Sequence, residues 1–223
     1  MTVQRLKAPK WTSDAISSII ASHSPLFLGT PQINVSPREL SAESVKAALP
    51  VYTVRVPASR GKRQSSSGQI KEWFKPKRIA WRIFLEAKKV VNVAVELRTD
   101  RKKERYDQLQ HGHFIEHTFR TMGRALQDKR AKNRQDSLGL VQIPALYFSA
   151  LWLKGTRGGD YFVSLVNVPG ALRPGRFYTR AQIVRALTRR HTERLHSHRA
   201  LLARRSKSKF AVRDGADTGI GPH

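Results

Sequence analysis

Two β-rich runs set three residues apart constrain this chain most. Residues 79–86 (IAWRIFLE) and 90–98 (VVNVAVELR) are dense in β-branched and aromatic side chains, and only Ala87, Lys88 and Lys89 separate them. A connection that short closes an antiparallel hairpin, whereas a parallel crossover needs about a dozen residues or more. Further strands follow from the same signals. VYTVRV at 51–56 alternates in the manner of a half-buried strand. LVQIPALYFSALWLKG at 140–155 is the most apolar stretch, with Pro144 bending it or opening a strand. The TRGG turn at 156–159 then leads into DYFVSLV at 160–166. These last two segments belong at the middle of the sheet.

Helices are expected where the period shifts from 2 to 3.6. Thr12 and Ser13 can cap a short helix over 14–23, and Ser36 can cap a second over 37–49, with Pro37 at the first helical position and Pro50 as the stop. Over 113–130, Phe114, Ile115, Thr118, Phe119, Met122, Ala125 and Leu126 share one face, so Phe114, Phe119, Met122 and Leu126 are expected in the core. Thr179 caps a long helix over 180–204, with an apolar stripe of Ile183, Val184, Leu187, Leu195, Leu201 and Leu202. No internal repeat is visible. The expected fold is α+β: one mainly antiparallel sheet of about five strands, two longer amphipathic helices and short N-terminal helices. The expected organisation is an N-terminal helical and loop segment over 1–50, a core domain over 51–205 and a disordered tail over 206–223.

The charge is extreme. The chain holds 42 Lys plus Arg against 16 Asp plus Glu, a formal net charge of +26 over 223 residues. Such an excess repels itself unless a polyanion offsets it, and nucleic acid is the commonest one. Cysteine is absent, which rules out disulfides, thiolate metal sites and a Cys nucleophile. No window approaches the roughly 18 apolar residues of a membrane span. The expected location is the cytoplasm, although a serine-rich, basic and nearly acid-free N-terminus leaves a transit peptide open.

Three basic clusters are the candidate binding surface. Arg60, Lys62, Arg63, Lys75, Lys77 and Arg78 bracket Trp73 and Phe74, a composition suited to phosphate contact with ring stacking on bases, although large rings are more often buried and these two are expected to anchor the loop on the core. Arg120 and Arg124 follow His113 and His117 along one helical row opposite the apolar stripe. Arg185, Arg189 and Arg204 project away from the stripe of the last helix, where ten Lys or Arg between 180 and 209 meet one acid, Glu193. His191 and His198 fall on the stripe instead.

One motif carries catalytic chemistry. His113-Phe114-Ile115-Glu116-His117 fits H-x-x-E-H. In this pattern two histidines a helical turn apart can share a zinc while the glutamate acts as general base. The segment resembles the zinc helix of the pitrilysin-type peptidases, a resemblance of about five residues that implies a downstream glutamate ligand, for which Glu193 is the candidate. Arg120 and Arg124 beside the histidines oppose cation binding there. A nuclease is the other hydrolytic alternative, using His111, His113 and His117 near Arg120, or carboxylates among Asp100, Glu104, Asp107 and Glu116 with Mg²⁺. A third reading is a basic structural subunit of a larger assembly. The reading favoured by the residues is a non-enzymatic RNA- or DNA-binding protein that contacts backbone phosphates and needs no cofactor.

Overall fold

The computed structural model describes residues 45–56, 74–87, 89–100, 103–131, 138–155 and 159–213. The strands are β1 (Val45–Thr53), β2 (Lys77–Ala87), β3 (Val90–Asp100), β4 (Lys103–His111), β5 (Leu138–Ile143), β6 (Phe148–Leu153), β7 (Tyr161–Ser164) and β8 (Phe177–Thr179). Helix α1 (His113–Gln127) lies between β4 and β5, and α2 (Arg180–Arg213) follows β8. Together these strands form one eight-stranded sheet in the order β4-β3-β2-β1-β5-β6-β7-β8. Each junction between them is antiparallel except β1–β5, where Val51, Tyr52 and Thr53 pair in parallel with Leu140, Val141 and Gln142.

The expected single sheet with two longer helices is present, and the expected hairpin is β2–β3, with Ala87 opposite Val90. The sheet is mainly antiparallel, as expected, but the count of about five strands needs correction to eight among the described residues, with one parallel pairing, β1–β5, at the centre. The apolar run at 140–155 is two strands, because a 3₁₀ turn at Pro144–Leu146 reverses it. The strand β4 (KERYDQLQH) lacks an apolar alternation and exists through its pairing with β3. The strand β8 is three residues long. Residues 45–49, expected at the end of a helix, begin β1. Pro50 does not stop that strand, because pairing with β5 starts only at Val51, which removes one neighbour that would need a proline N–H. The expected helix over 14–23 and the first part of 37–49 lie outside the described residues. The long helix runs past its expected end near 204 to Arg213, into the segment expected as a tail.

The topology repeats although the sequence does not. Each half is a four-stranded meander followed by a helix, and the two meanders run outward from the β1–β5 seam in opposite directions. The helices cover opposite faces. On one face Leu49, Val51, Phe84, Ala94, Leu140 and Leu151 pack with Ile115, Met122 and Ala125 of α1. On the other, Val141, Ile143, Trp152 and Phe162 pack with Ile183, Val184 and Leu187 of α2. In α1 the buried residues are Ile115, Thr118, Thr121, Met122 and Ala125. Phe119 is half-buried and its ring lies 5.8 Å from that of Phe84. Phe114, expected in the core, is 38% exposed, because it starts the helix at the margin of that buried face.

A row of rings crosses the α2 face. Tyr52 meets Trp152 edge-on at 5.0 Å, Trp152 stacks on Phe162 at 6.1 Å, and Phe162 meets Phe74 edge-on at 5.7 Å. The row is continuous because β5 places Gly139 beneath Tyr52. A Cβ there would stand 2.7 Å from the tyrosine ring and 3.3 Å from the Pro50 carbonyl oxygen. Gly139→Ala is therefore expected to destabilise the protein by roughly 1–3 kcal/mol through overpacking, read as a lower denaturation midpoint.

On the α1 face one rung carries charge. Leu49, Arg82, Glu96 and Gln108 lie side by side on β1 to β4. Arg82 is fully buried and Glu96 is 4% exposed. Arg82 Nε donates to Glu96 Oε1 at 2.7 Å, a second guanidinium nitrogen donates to the same oxygen, and Gln108 Nε2 donates to Oε2 at 2.9 Å. Burial lowers the pKa of the guanidinium and the adjacent carboxylate works against that shift. Arg82 Nη1 is buried without a hydrogen-bond partner.

Candidate nucleic-acid interface

The first turn of α2 is fixed by a capping box. Gln182 Oε1 accepts from the Thr179 N–H at 2.8 Å, and Thr179 Oγ1 accepts from the Gln182 N–H at 3.3 Å. Ile183, Val184, Ala186 and Leu187 are then buried, which turns Arg185 and Arg189 outward. The expected stripe holds only this far: Leu195 is half-buried, Leu201 is 58% exposed, and Leu202 has no described side chain. Glu193, the one acid of the helix, accepts from Arg189 Nε at 2.8 Å. Burial, with the charge of Arg194 behind it, lowers the pKa of His191, which favours the neutral ring there. Arg204 lies within α2, and its side chain is outside the described residues.

Between α2, the turn that joins β5 to β6 and the loop after β7 opens a cleft of about 390 Å³, lined by Tyr147, Val168, Pro169, Arg190, Glu193, Arg194 and Ser197. Tyr147 ends the 3₁₀ turn in the left-handed region, with φ 47° and ψ 45°, and its N–H donates to the Pro144 carbonyl. Its ring is exposed while its neighbours Leu146 and Phe148 are buried. The Arg194 guanidinium lies 4.7 Å from the ring centroid and donates to the Ala145 carbonyl. The opposite wall is tied by mutual N–H to carbonyl bonds between Val168 and Leu172, at 2.8 and 2.9 Å.

The α1 row is exposed as expected, with His113, His117, Arg120 and Arg124 on the solvent side. Glu116 sits within it, 2.5 Å from Arg120 and 3.7 Å from His113, so part of its positive charge is already offset. The structure does not bring His113 and His117 to Glu193. The histidines are on α1 over one face of the sheet, and Glu193 is on α2 over the other, paired with Arg189. Among the described residues no group of three or more His, Asp or Glu could hold a metal ion.

In the first basic cluster, Lys75, Lys77 and Arg78 are exposed, and the Arg78 guanidinium lies 5.6 Å from the Trp81 ring centroid. Arg60, Lys62, Arg63 and Trp73 lie outside the described residues. Phe74 is 1% exposed and belongs to the aromatic row of the core, as expected for a ring that anchors this stretch. Arg180 ties it there, donating to the Phe74 carbonyl at 2.9 Å with its guanidinium 5.7 Å from the ring.

Sequence reasoning missed Tyr147, Arg190 and Arg194. A signal was present in Pro144 inside an apolar run, since a turn at a proline leaves one nearby side chain facing solvent. Compared with known proteins, the chain matches no family model, no curated protein and no solved structure. No described helix is long and apolar enough to cross a membrane.

Proposed function

We propose that this is a polyanion-binding protein of the cytoplasm whose partner is RNA or DNA, held chiefly through backbone phosphates. The outer face of α2 carries this reading. Arg185 and Arg189 stand one turn apart on the side away from Ile183 and Leu187, which anchor the helix, while Arg190 and Arg194 flank the cleft on the sheet side, Arg194 tied to the Ala145 carbonyl. Cations held at a regular spacing on a rigid element suit a phosphate chain, which also supplies the counter-charge that a net +26 calls for. The α1 row and the lysines beside β2 extend the positive surface.

The test is binding of a labelled single strand and a labelled duplex at 50 mM salt. Binding is expected, and its absence for both strands overturns the reading. Replacing Arg185 and Arg189 together by Gln should lower the magnitude of the duplex salt slope by roughly two, at about 0.9 for each phosphate no longer neutralised. The melting midpoint should hardly move, since the exposed Arg189–Glu193 pair is worth only about 0.3–0.5 kcal/mol.

A further inference from the structure

We propose that the cleft beside Tyr147 seats one base of a single-stranded nucleic acid, stacked on the tyrosine ring, with Arg190 and Arg194 at the flanking phosphates. The inference rests on the nucleic-acid reading above and adds to it a site that only single strands can use. A base inside a duplex has no free face to offer, so only an unpaired one can enter.

Three observations converge on the site. Tyr147 is a large aromatic side chain, 69% exposed, on a backbone with φ 47°. That conformation suits Gly or Asn and strains a tyrosine, so neither burial nor the backbone accounts for a ring at this position. The ring is also held in place. Its chain neighbours Leu146 and Phe148 are buried and anchor its backbone, and Arg194 lies over the ring while donating to the Ala145 carbonyl. A platform already ordered loses little freedom when a base stacks on it. Finally, the cleft's volume of about 390 Å³ falls within the usual range for small-ligand sites, roughly 300–1,000 Å³. Val168 and Pro169 give it an apolar wall, and Arg190 and Arg194 leave it positive because Arg189 already engages Glu193.

The experiment compares Tyr147→Asn, Tyr147→Phe and wild type on a labelled 12-nucleotide single strand and on the duplex of the same sequence. Asparagine removes the ring yet accepts the left-handed backbone, so the variant should melt no lower than wild type. Its single-strand affinity is expected to fall roughly 5- to 150-fold, the range for losing one base–aromatic stack. Duplex affinity should stay the same, and phenylalanine should restore single-strand binding. If Tyr147→Asn binds the single strand as wild type does, or weakens single strand and duplex equally, the cleft is not a base site, while the phosphate-binding reading stands. Should wild type bind neither strand form, the nucleic-acid reading itself fails and takes this inference with it.

Discussion

Raising salt from 50 to 200 mM is expected to cut the affinity for duplex DNA by roughly 10³–10⁵-fold if 6–10 phosphates are engaged. The geometry puts that many phosphates within reach. With 34 residues, α2 is about 50 Å long, and arginines four apart stand about 6 Å apart along it. A duplex presents one charge about every 1.7 Å of its axis, so a helix of this length passes many phosphates. Each phosphate neutralised releases condensed counterions, and these effects add in the logarithm of affinity. A titration of binding against log salt reads the number directly. A slope near zero would mean that the arginines of α2 face something other than a phosphate chain. The effect far exceeds what one stacked base contributes, so salt and the Tyr147 variants report on separate parts of the interface.

Glu96→Ala is expected to cost about 3–5 kcal/mol, a large share of the roughly 5–15 kcal/mol that holds a domain together. Arg82 is fully buried between Leu49 and Glu96 on neighbouring strands, with one guanidinium nitrogen already lacking a partner. Removing the carboxylate leaves that cation without its counter-charge in an apolar surrounding. For a chain of this size the melting midpoint should drop by roughly 6–20 °C. The double variant Arg82→Met, Glu96→Leu should recover most of the loss, because an apolar pair of similar bulk carries no desolvation penalty. Gln108, exposed at its outer side, can turn to water instead. If the single variant melts within a degree or two of wild type, water reaches the guanidinium and the rung is not sealed.

What could be read from the sequence follows from how local each feature is. The β2–β3 hairpin was legible because three residues cannot join its strands in another way, and α1 because its apolar spacing is regular. The Arg82–Glu96 pair was not. Counting back from Ala87 opposite Val90 puts Arg82 opposite Val95, and only the bulge at Leu85 and Glu86 shifts the register by one to bring Glu96 alongside. The strand β4 was hidden because its polar residues gain a strand conformation from β3 and not from their own propensity. The basic face of α2 was legible from phase alone over Arg185 and Arg189. The cleft was not, since Tyr147 and Arg194 are brought together by the long path through β6, β7 and β8.

The β1–β5 seam sets the order in which this chain can assemble. The other strand pairings in the sheet join neighbours in sequence, so the loops that must close are shorter and entropically cheaper. The seam alone joins residues roughly ninety positions apart, Val51 to Leu140 among them, and it rests on three residue pairs. Each meander can therefore form its own pairings early, and the two meet late. Substitutions at the seam should mostly speed unfolding and leave the refolding rate nearly unchanged, whereas those in the β2–β3 hairpin should slow refolding.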